Sequence, residues 1–371
     1  MKILYSCLSQ SWGGMEMFTI NAIKNLHKNN IEAELLCYPS SKLHQAALDN
    51  EIKAHPTKAD SYFHPSEIFS LSKIIIQNFD LVHTQASKDL WVIVPALKLA
   101  NSKIPLILTK QVGSFIVKKD FLHKWIYNRV TFALAISEVI KTNLMNTCPL
   151  TEDKILLLHN FVDTKKFDPS LFNKFKVRNE FKISENEIVI GMLARFSPGK
   201  GHEEFLDAAK TLITKYDNLR FMIVGEPSRG EDNYGYKIVD LCKSLGIDNK
   251  VIFTGFRNDT PDVIAAMDIF AFPSHSEAFG IALVEAMAME KPSVVSNSDG
   301  VLDIAINEET SYLFQKQNSK DLADKLELLI TSPVKRDTFG KAARKRAVEY
   351  FDEAILTQKV IDIYKHALKV V

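Results

Sequence analysis

Three loops of this 371-residue chain concentrate residue types that do chemistry. The richest is PSHSEAFGIALVE, residues 273–285, with a carboxylate at each end of a nine-residue window, Glu277 and Glu285. If the apolar run is a helix opening at Phe279–Gly280, Glu277 lies in the loop ahead of it and Glu285 about one and a half turns inside. The backbone N–H groups of Phe279, Gly280 and Ile281 are then helix-start donors suited to an anionic group. A carboxylate on a mostly apolar helix is costly without hydrogen-bond donors, and the vicinal hydroxyls of a ribose would supply two. A helix-start glutamate and a glutamate paired to a lysine account for the same residues without any ligand.

The second loop is ARFSPGKGH, residues 194–202, directly after the strand-like EIVIGML. Arg195 and Lys200 beside a helix N-terminus can clamp a diphosphate. The spacing is not that of a P-loop, and exposed loop charges remain the plain alternative. The third is SQSWGGME, residues 9–16, where Gly13 and Gly14 let the backbone approach a ligand at a helix start. It lacks G-x-G-x-x-G, so a dinucleotide fingerprint is unsupported, and a structural turn explains a bare G-G equally well.

Elements of a definite kind must position these loops. KILYSCL, AELLCYP, DLVHT, PLILTK, FALAIS and KILLLHN read as strands, with helical patterns such as MEMFTINAIKNLHKNN among them. From EIVIGMLA the pattern restarts, through GHEEFLDAAKTLITKY, RFMIVGE, YKIVDLCKSLG, KVIFTGF, DIFAFP and PSVVS. A βα series predicts a parallel sheet covered on both faces, and two series predict two doubly wound α/β domains. Length alone also suggests two, at about 150 residues each. The expected boundaries are 1–165 and 180–350, joined by the polar stretch 160–186, with a C-terminal helix at about 352–371 packing back on the first domain. Ligands of such sheets sit outside the carboxyl ends of the strands, so two domains face to face would share one cleft.

The composition narrows the classes further. Net charge is +1, unevenly spread: residues 1–175 hold 20 Lys+Arg against 15 Asp+Glu, and residues 176–371 hold 26 against 30. That is too weak for duplex DNA and excludes nucleic acid as a partner; it suits weak attraction to an anionic acceptor or membrane surface. Cys7, Cys37, Cys148 and Cys242 are scattered, without zinc spacing, as in reduced thiols. No apolar run reaches the roughly 18 residues of a span, and MKILYSCLSQ is too short and polar for a signal peptide. The expected place is the cytoplasm, with peripheral contact to the inner face of the plasma membrane. KKDFLHKWIYNR, residues 118–129, is basic and aromatic enough to lie on an anionic membrane, though its apolar side can equally be core.

Taken in order, G-G after the first strand, R-x-x-x-x-K after the first strand of the second half, and E-x-F-G-x-x-x-x-E resemble the retaining glycosyltransferases of the GT-B fold, in particular family GT4. The resemblance is strongest from 188 to 315. It implies that Arg195 and Lys200 hold the donor diphosphate, Glu277 contacts the transferred sugar, Glu285 holds the ribose, and the Phe279–Ile281 backbone meets sugar or phosphate. It places Gly13 and Gly14 by the diphosphate and Gly255 and Arg257, in FTGFRND, by the base. Ser137, Asn160 and Asp163 match further positions of a structural kind.

The sequence departs from that family at several points. Gln111 stands where many members carry a histidine, leaving His83 in DLVHTQ as the other acceptor-side polar group or as a satisfied structural histidine. N-F-V-D replaces N-G-V-D, and S298-D-G-V-L-D303 replaces a G-G-x-x-E. No D-x-D occurs, so metal is not expected to hold the diphosphate, and no cofactor is implied. The function implied is transfer of a sugar from a UDP-, GDP- or ADP-sugar to a glycan or glycolipid hydroxyl, with lipopolysaccharide or surface-polysaccharide synthesis favoured. The alternatives are a nucleotide-sugar epimerase or hydrolase and a non-catalytic nucleotide-sugar-binding module.

Overall fold

The computed structural model describes residues 1–59, 62, 64–227 and 230–370, and of 76–78 the backbone alone. The chain divides into two compact units, Met1–Asn160 with Glu353–Val371, and Phe161–Asp352. The first runs β1 (Lys2–Cys7), α1 (Gly14–Lys28), β2 (Glu32–Cys37), α2 (Lys42–Asp49), β3 (Ala54–Pro56), α3 (Pro65–Asn78), β4 (Leu81–Thr84), α4 (Leu90–Leu99), β5 (Leu106–Lys110), α5 (Phe121–Tyr127), β6 (Phe132–Ala135), α6 (Glu138–Thr147) and β7 (Ile155–Leu157). The second runs α7 (Phe175–Glu180), β8 (Ile188–Leu193), α8 (His202–Ile213), β9 (Leu219–Val224), α9 (Asp232–Ser244), β10 (Val251–Gly255), α10 (Thr260–Ala266), β11 (Ile269–Phe272), α11 (Ile281–Ala288), β12 (Ser293–Ser296), β13 (Ser311–Phe314), α12 (Ser319–Ile330) and α13 (Pro333–Tyr350). The last helix, α14 (Glu353–Val370), belongs to the first unit.

Each unit has one parallel sheet, of order β3-β2-β1-β4-β5-β6-β7 and β10-β9-β8-β11-β12-β13. The central strands are buried along their whole length, β4, β5, β6, β11 and β12 among them, which is why they read as unbroken apolar runs rather than alternating ones. Helices supply the cover. In α8, Phe205, Leu206, Ala208, Ala209 and Leu212 form one buried stripe, and Phe205 meets Phe221 of β9 edge-on at 5.6 Å. The strand order reverses between β1 and β4 in the first sheet and between β8 and β11 in the second. Loops leaving the carboxyl ends of these four strands therefore flank natural ligand sites.

Two features differ from the sequence expectation. The stretch 160–186, read as polar and loop-like, contains α7. Its anchor is Arg178, 1% exposed, whose Nη2 contacts Asp268 Oδ2 at 2.6 Å while Nε and Nη1 donate to the carbonyls of Ala266 and Glu187. A buried arginine with a partner on each of its three nitrogens does the docking that apolar periodicity would normally announce. The short edge strands β3 and β13 also go unannounced, at three and four residues.

Helix α14 packs on α1. Glu353 accepts from Asn25 Nδ2 at 2.9 Å and pairs with Lys28 at 3.0 Å. Farther along, the Tyr364 hydroxyl meets His83 Nδ1 on β4 at 2.5 Å. No helix among the described residues is long and apolar enough to cross a membrane.

Candidate active site

The β8–β11 switch point brings together the two loops richest in chemistry. The loop after β8 is fastened by backbone bonds from Ala194 to Val224 and from Phe196 to Glu226, and by Ser197 Oγ donating to Glu231 at 2.5 Å. It turns into α8 through Gly201, with φ of +80°, where a Cβ would stand 2.3 Å from the Pro273 carbonyl oxygen. Only glycine permits that approach, and it sets the loop against the one leaving β11. The latter is held from β12, where Ser296 Oγ donates to the Ser274 carbonyl at 2.5 Å, and Gly300 N–H donates to the Glu277 carbonyl at 3.0 Å. The His275 N–H donates to the Gly199 carbonyl at 2.8 Å, and its Nε2 meets Glu204 Oε1 at 2.8 Å, so both side chain and backbone tie the loops together.

Across this junction Lys200 Nζ donates to Glu277 Oε1 at 2.6 Å, both side chains being largely buried. Arg195 is exposed on the same loop. The chain then enters α11 through Gly280 at φ +122°, a backbone shape barred to other residues, which explains the F-G step. The Phe279 ring turns inward onto Phe351, 5.7 Å away, leaving its backbone as the part that can meet a ligand. Ile281, half-buried, opens α11, and no side chain caps the helix start.

Glu285 follows on α11. It keeps part of its surface open yet sits deep among protein atoms, and burial raises its carboxyl to about 7, with Lys166 pulling weakly the other way. Its carboxylate has no hydrogen-bond or ion-pair partner among the described residues. Partial burial without a partner leaves it able to accept from a ligand, which a lysine-paired glutamate could not do as freely.

Gly255 ends β10 at φ +70°, with open space where a Cβ would be. Arg257 beside it makes paired bonds to Glu180 at 2.6 and 3.0 Å and to Asp259 at 2.8 Å each. These raise its pKa and use four of its five N–H donors, so it clamps α7 to the turn before α10 and has one donor to spare.

At the first sheet's switch point, Gly13 caps α1 in extended conformation and Gly14 begins it, with nothing within 4 Å of a Cβ built there. His83 and Gln111 lie inside. His83 is 2% exposed, its Nδ1 on Tyr364 and its Nε2 on Thr109 Oγ1 at 2.7 Å, and burial pushes its pKa down to about 3. With both nitrogens committed it is a structural histidine and presents none to an acceptor. Gln111 joins a buried ladder in which Gln85 donates to Tyr5 Oη at 2.6 Å, Gln111 to Gln85 at 2.8 Å and Asn160 to Gln111 at 3.0 Å. An amide both gives and accepts there, which accounts for glutamine in place of histidine.

The stretch 118–129 divides. Ile126 and Tyr127 are core and Arg129 donates to the Ser102 and Ile104 carbonyls, whereas Phe121 and Leu122 are exposed. The exposed apolar surface continues upstream into Phe115, Ile116 and Val117, outside the stretch the sequence singled out.

His202 carries no signal in the sequence. Fully buried at the start of α8, it stacks on Phe196 at 4.7 Å, and neither ring nitrogen has a hydrogen-bond partner. Burial lowers its pKa to about 4, so the ring is a neutral wedge under the cation loop.

Known proteins resemble this chain in sequence and fold. Residues 173–346 match the model of the group 1 glycosyl transferases, and residues 12–166 that of glycosyltransferase family 4. A capsular polysaccharide biosynthesis glycosyltransferase from Staphylococcus aureus is 27% identical over 94% of this chain and 93% of its own. From Campylobacter jejuni, an N,N'-diacetylbacillosaminyl-diphospho-undecaprenol alpha-1,3-N-acetylgalactosaminyltransferase is 28% identical over 81% of each. The crystal structure of a glycosyltransferase from Rickettsia africae superposes with a TM-score of 0.90 at 24% identity, covering 100% of this chain and 99% of that one. With both halves matched in order and two parallel Rossmann-like sheets behind them, the chain belongs to the group 1, family 4 glycosyltransferases of the GT-B fold.

Proposed function

We propose that this glycosyltransferase moves a sugar, with retention and without metal, from a nucleotide-diphosphate donor to a hydroxyl of a lipid-linked saccharide at the cytoplasmic face of a membrane. The observation that carries the proposal is the meeting of a two-cation loop and a carboxylate loop at the β8–β11 switch point, joined by Lys200 and Glu277 at 2.6 Å. An ammonium has three donors. Glu277 takes one and orients the rest, so the donor diphosphate meets a pre-aimed cation, with Arg195 able to add a bidentate contact. Charge on the departing diphosphate is thus neutralised by side chains where other transferases use a metal.

Glu277 accepts from the hydroxyls of the transferred sugar. Glu285 accepts from the ribose, whose two O–H donors would favour the charged carboxylate and draw its pKa back from about 7. Glu277 is committed to Lys200 and is a poor nucleophile, which favours displacement on one face. The bond from the sugar's anomeric carbon to the diphosphate oxygen breaks, the bond to the acceptor oxygen forms on the same side, and the acceptor proton passes to the leaving diphosphate. The acceptor class draws support from the Campylobacter relative, whose name specifies a diphospho-undecaprenol-linked sugar.

A thermal-shift panel of UDP-, GDP- and ADP-sugars tests the donor, since a ligand that binds only the native state raises Tm. A shift by one of the three, followed by transfer insensitive to a chelator and a product of unchanged anomeric configuration, is the expected sequence. An inverted product would remove the retaining assignment, and loss of turnover on chelation the metal-free one.

A further inference from the structure

The carboxyl end of β5 holds an arrangement that donor chemistry does not use. Lys110, the last residue of the strand, is 7% exposed. Its Nζ donates to Ser87 Oγ at 3.0 Å, and the ammonium of Lys118 stands against it. Among the described residues no carboxylate acts on Lys110; the titratable groups near it are Lys118 and the Cys148 thiol. Burial and Lys118 together draw its pKa down to about 8. Two ammonium groups held together in a partly dry setting repel each other, and a protein retains such a pair where an anion comes between them.

The pair is built rather than incidental. Lys118 does not ride on a free loop, because its N–H donates to the Thr147 carbonyl on α6 at 2.6 Å. Asn143, also on α6, grips Ser114 from both sides, accepting its N–H at 2.8 Å and donating to its carbonyl at 2.9 Å. The buried Tyr127 hydroxyl lies near Cys148 and Ser87 and makes no hydrogen bond of good geometry. Ser87 Oγ, accepting from Lys110, keeps its own proton to donate.

Between the pinned points the chain throws its apolar side chains outward. Phe115 is fully exposed, and Ile116, Val117, Phe121 and Leu122 are each more than half exposed. Lys119 and Lys124 flank them. A soluble phosphate ester would need the cations but not this ridge. A ligand with a phosphate head and a hydrocarbon anchor uses both.

We infer that Lys110, Lys118 and Ser87 form an anion site for the phosphate-ester end of a membrane-anchored acceptor, with Phe115, Ile116, Val117, Phe121 and Leu122 as the ridge that enters the lipid beside it. This deepens, and rests on, the assignment of a lipid-linked acceptor. It uses none of Arg195, Lys200, Glu277 and Glu285, all of which lie in the other unit.

The test is co-sedimentation of the full chain with phosphatidylcholine vesicles carrying a polyprenyl phosphate, against vesicles of equal charge made with phosphatidylglycerol. Wild type should prefer the polyprenyl phosphate. Lys110→Met and Lys118→Met should each weaken that preference about tenfold, the value of one charge-assisted hydrogen bond, and inorganic diphosphate should compete. Phe115→Ser with Ile116→Ser should weaken partition to both vesicle types. Unchanged preference in Lys110→Met, with its Tm retained, overturns the site. Diphosphate competition with undiminished partition in the serine variant overturns the lipid source. A nucleotide-sugar thermal shift on the same proteins separates the two ideas. A shift with no effect of Lys110→Met leaves the transferase assignment standing and removes the site. Lost vesicle preference with no shift by any nucleotide sugar does the reverse.

Discussion

The two sheets end in opposite kinds of electrostatics. At the edge of β8 and β11 charge answers charge: Lys200 with Glu277, and nearby Arg257 between Glu180 and Asp259. At the edge of β4 and β5 a neutral ladder of Tyr5, Gln85, Gln111 and Asn160 lies beside His83, an acid there, Asp89, is held by the Ser6 and Thr84 hydroxyls, and among the described residues no carboxylate acts on Lys110 where it stands against Lys118. The first edge is prepared for a highly charged leaving group, which needs fixed cations held by fixed anions. The second is prepared to be completed by its ligand.

The sharpest way to break this contrast is to remove a charged group from the prepared edge. Arg195→Ala and Glu277→Ala should each lower turnover about a thousandfold or more, the scale of losing one preorganised charge contact in a dry site. Near-wild-type Tm in both is the accompanying expectation, since Arg195 is exposed and Glu277 lies in a loop. Undiminished turnover in both variants would remove the donor-site assignment altogether.

At the other edge the largest effect should fall on stability. His83→Ala leaves the Tyr364 hydroxyl and Thr109 Oγ1 without their partner in the interior and opens a cavity, so a loss of about 2–3 kcal/mol is expected by denaturant unfolding. The pH dependence has a definite sign. The folded pKa of His83, about 3, lies below the ordinary 6.5. Its contribution is therefore complete above 6.5 and is lost as pH falls from there toward 3. A folded His83→Ala protein that lost turnover far beyond its loss of stability would return the histidine to the acceptor's company.

The same contrast explains what could be read from the chain. Arg195, Lys200, Glu277 and Glu285 stood out in the sequence because they are charged residues at fixed offsets after strand-like runs, with glycines marking the turns between, and the structure brings Lys200 and Glu277 into contact. The alternation of buried strands and amphipathic helices gave both sheets. The Arg178 anchor escaped because it docks a polar segment by hydrogen bonds, which leave no periodicity. Lys110 escaped, and Lys118 stood out only as part of a basic stretch, because folding alone shows which charges stand together. Phe115, Ile116 and Val117 lie outside the stretch the sequence singled out, and only the structure shows them exposed between the pinned Ser114 and Lys118.

Lys110 sharpens the contrast by a smaller amount. Its folded pKa of about 8 lies below the ordinary 10.5, so the native state resists the proton that the unfolded chain keeps. That cost is absent above 10.5 and complete below 8. Lys110→Met should thus stabilise the protein at pH 7 by about 2 kcal/mol while weakening anion binding. A destabilised Lys110→Met would mean that the lysine holds the fold, and the edge would cease to be an unfinished one.

The smallest expected effect belongs to Glu285, a carboxylate that departs from the pairing seen at the second sheet's edge. Glu285 is raised to about 7 by burial and has no partner among the described residues. Its folded pKa exceeds the ordinary 4.5, so ionising it works against the native state: the penalty is absent below 4.5, grows as pH rises, and is complete above 7. Glu285→Gln should therefore stabilise the empty protein at pH 8 by on the order of 1 kcal/mol, reduced from the fully buried value by its partial exposure, and do nothing at pH 4. The amide can accept only on one oxygen, so the thermal shift given by a nucleotide sugar should shrink in the same variant. Stabilisation together with a smaller ligand shift is the signature of a group kept for the ligand. Stabilisation with an undiminished shift would make Glu285 a buried acid of no use to the donor, and the ribose would have to be held elsewhere on α11.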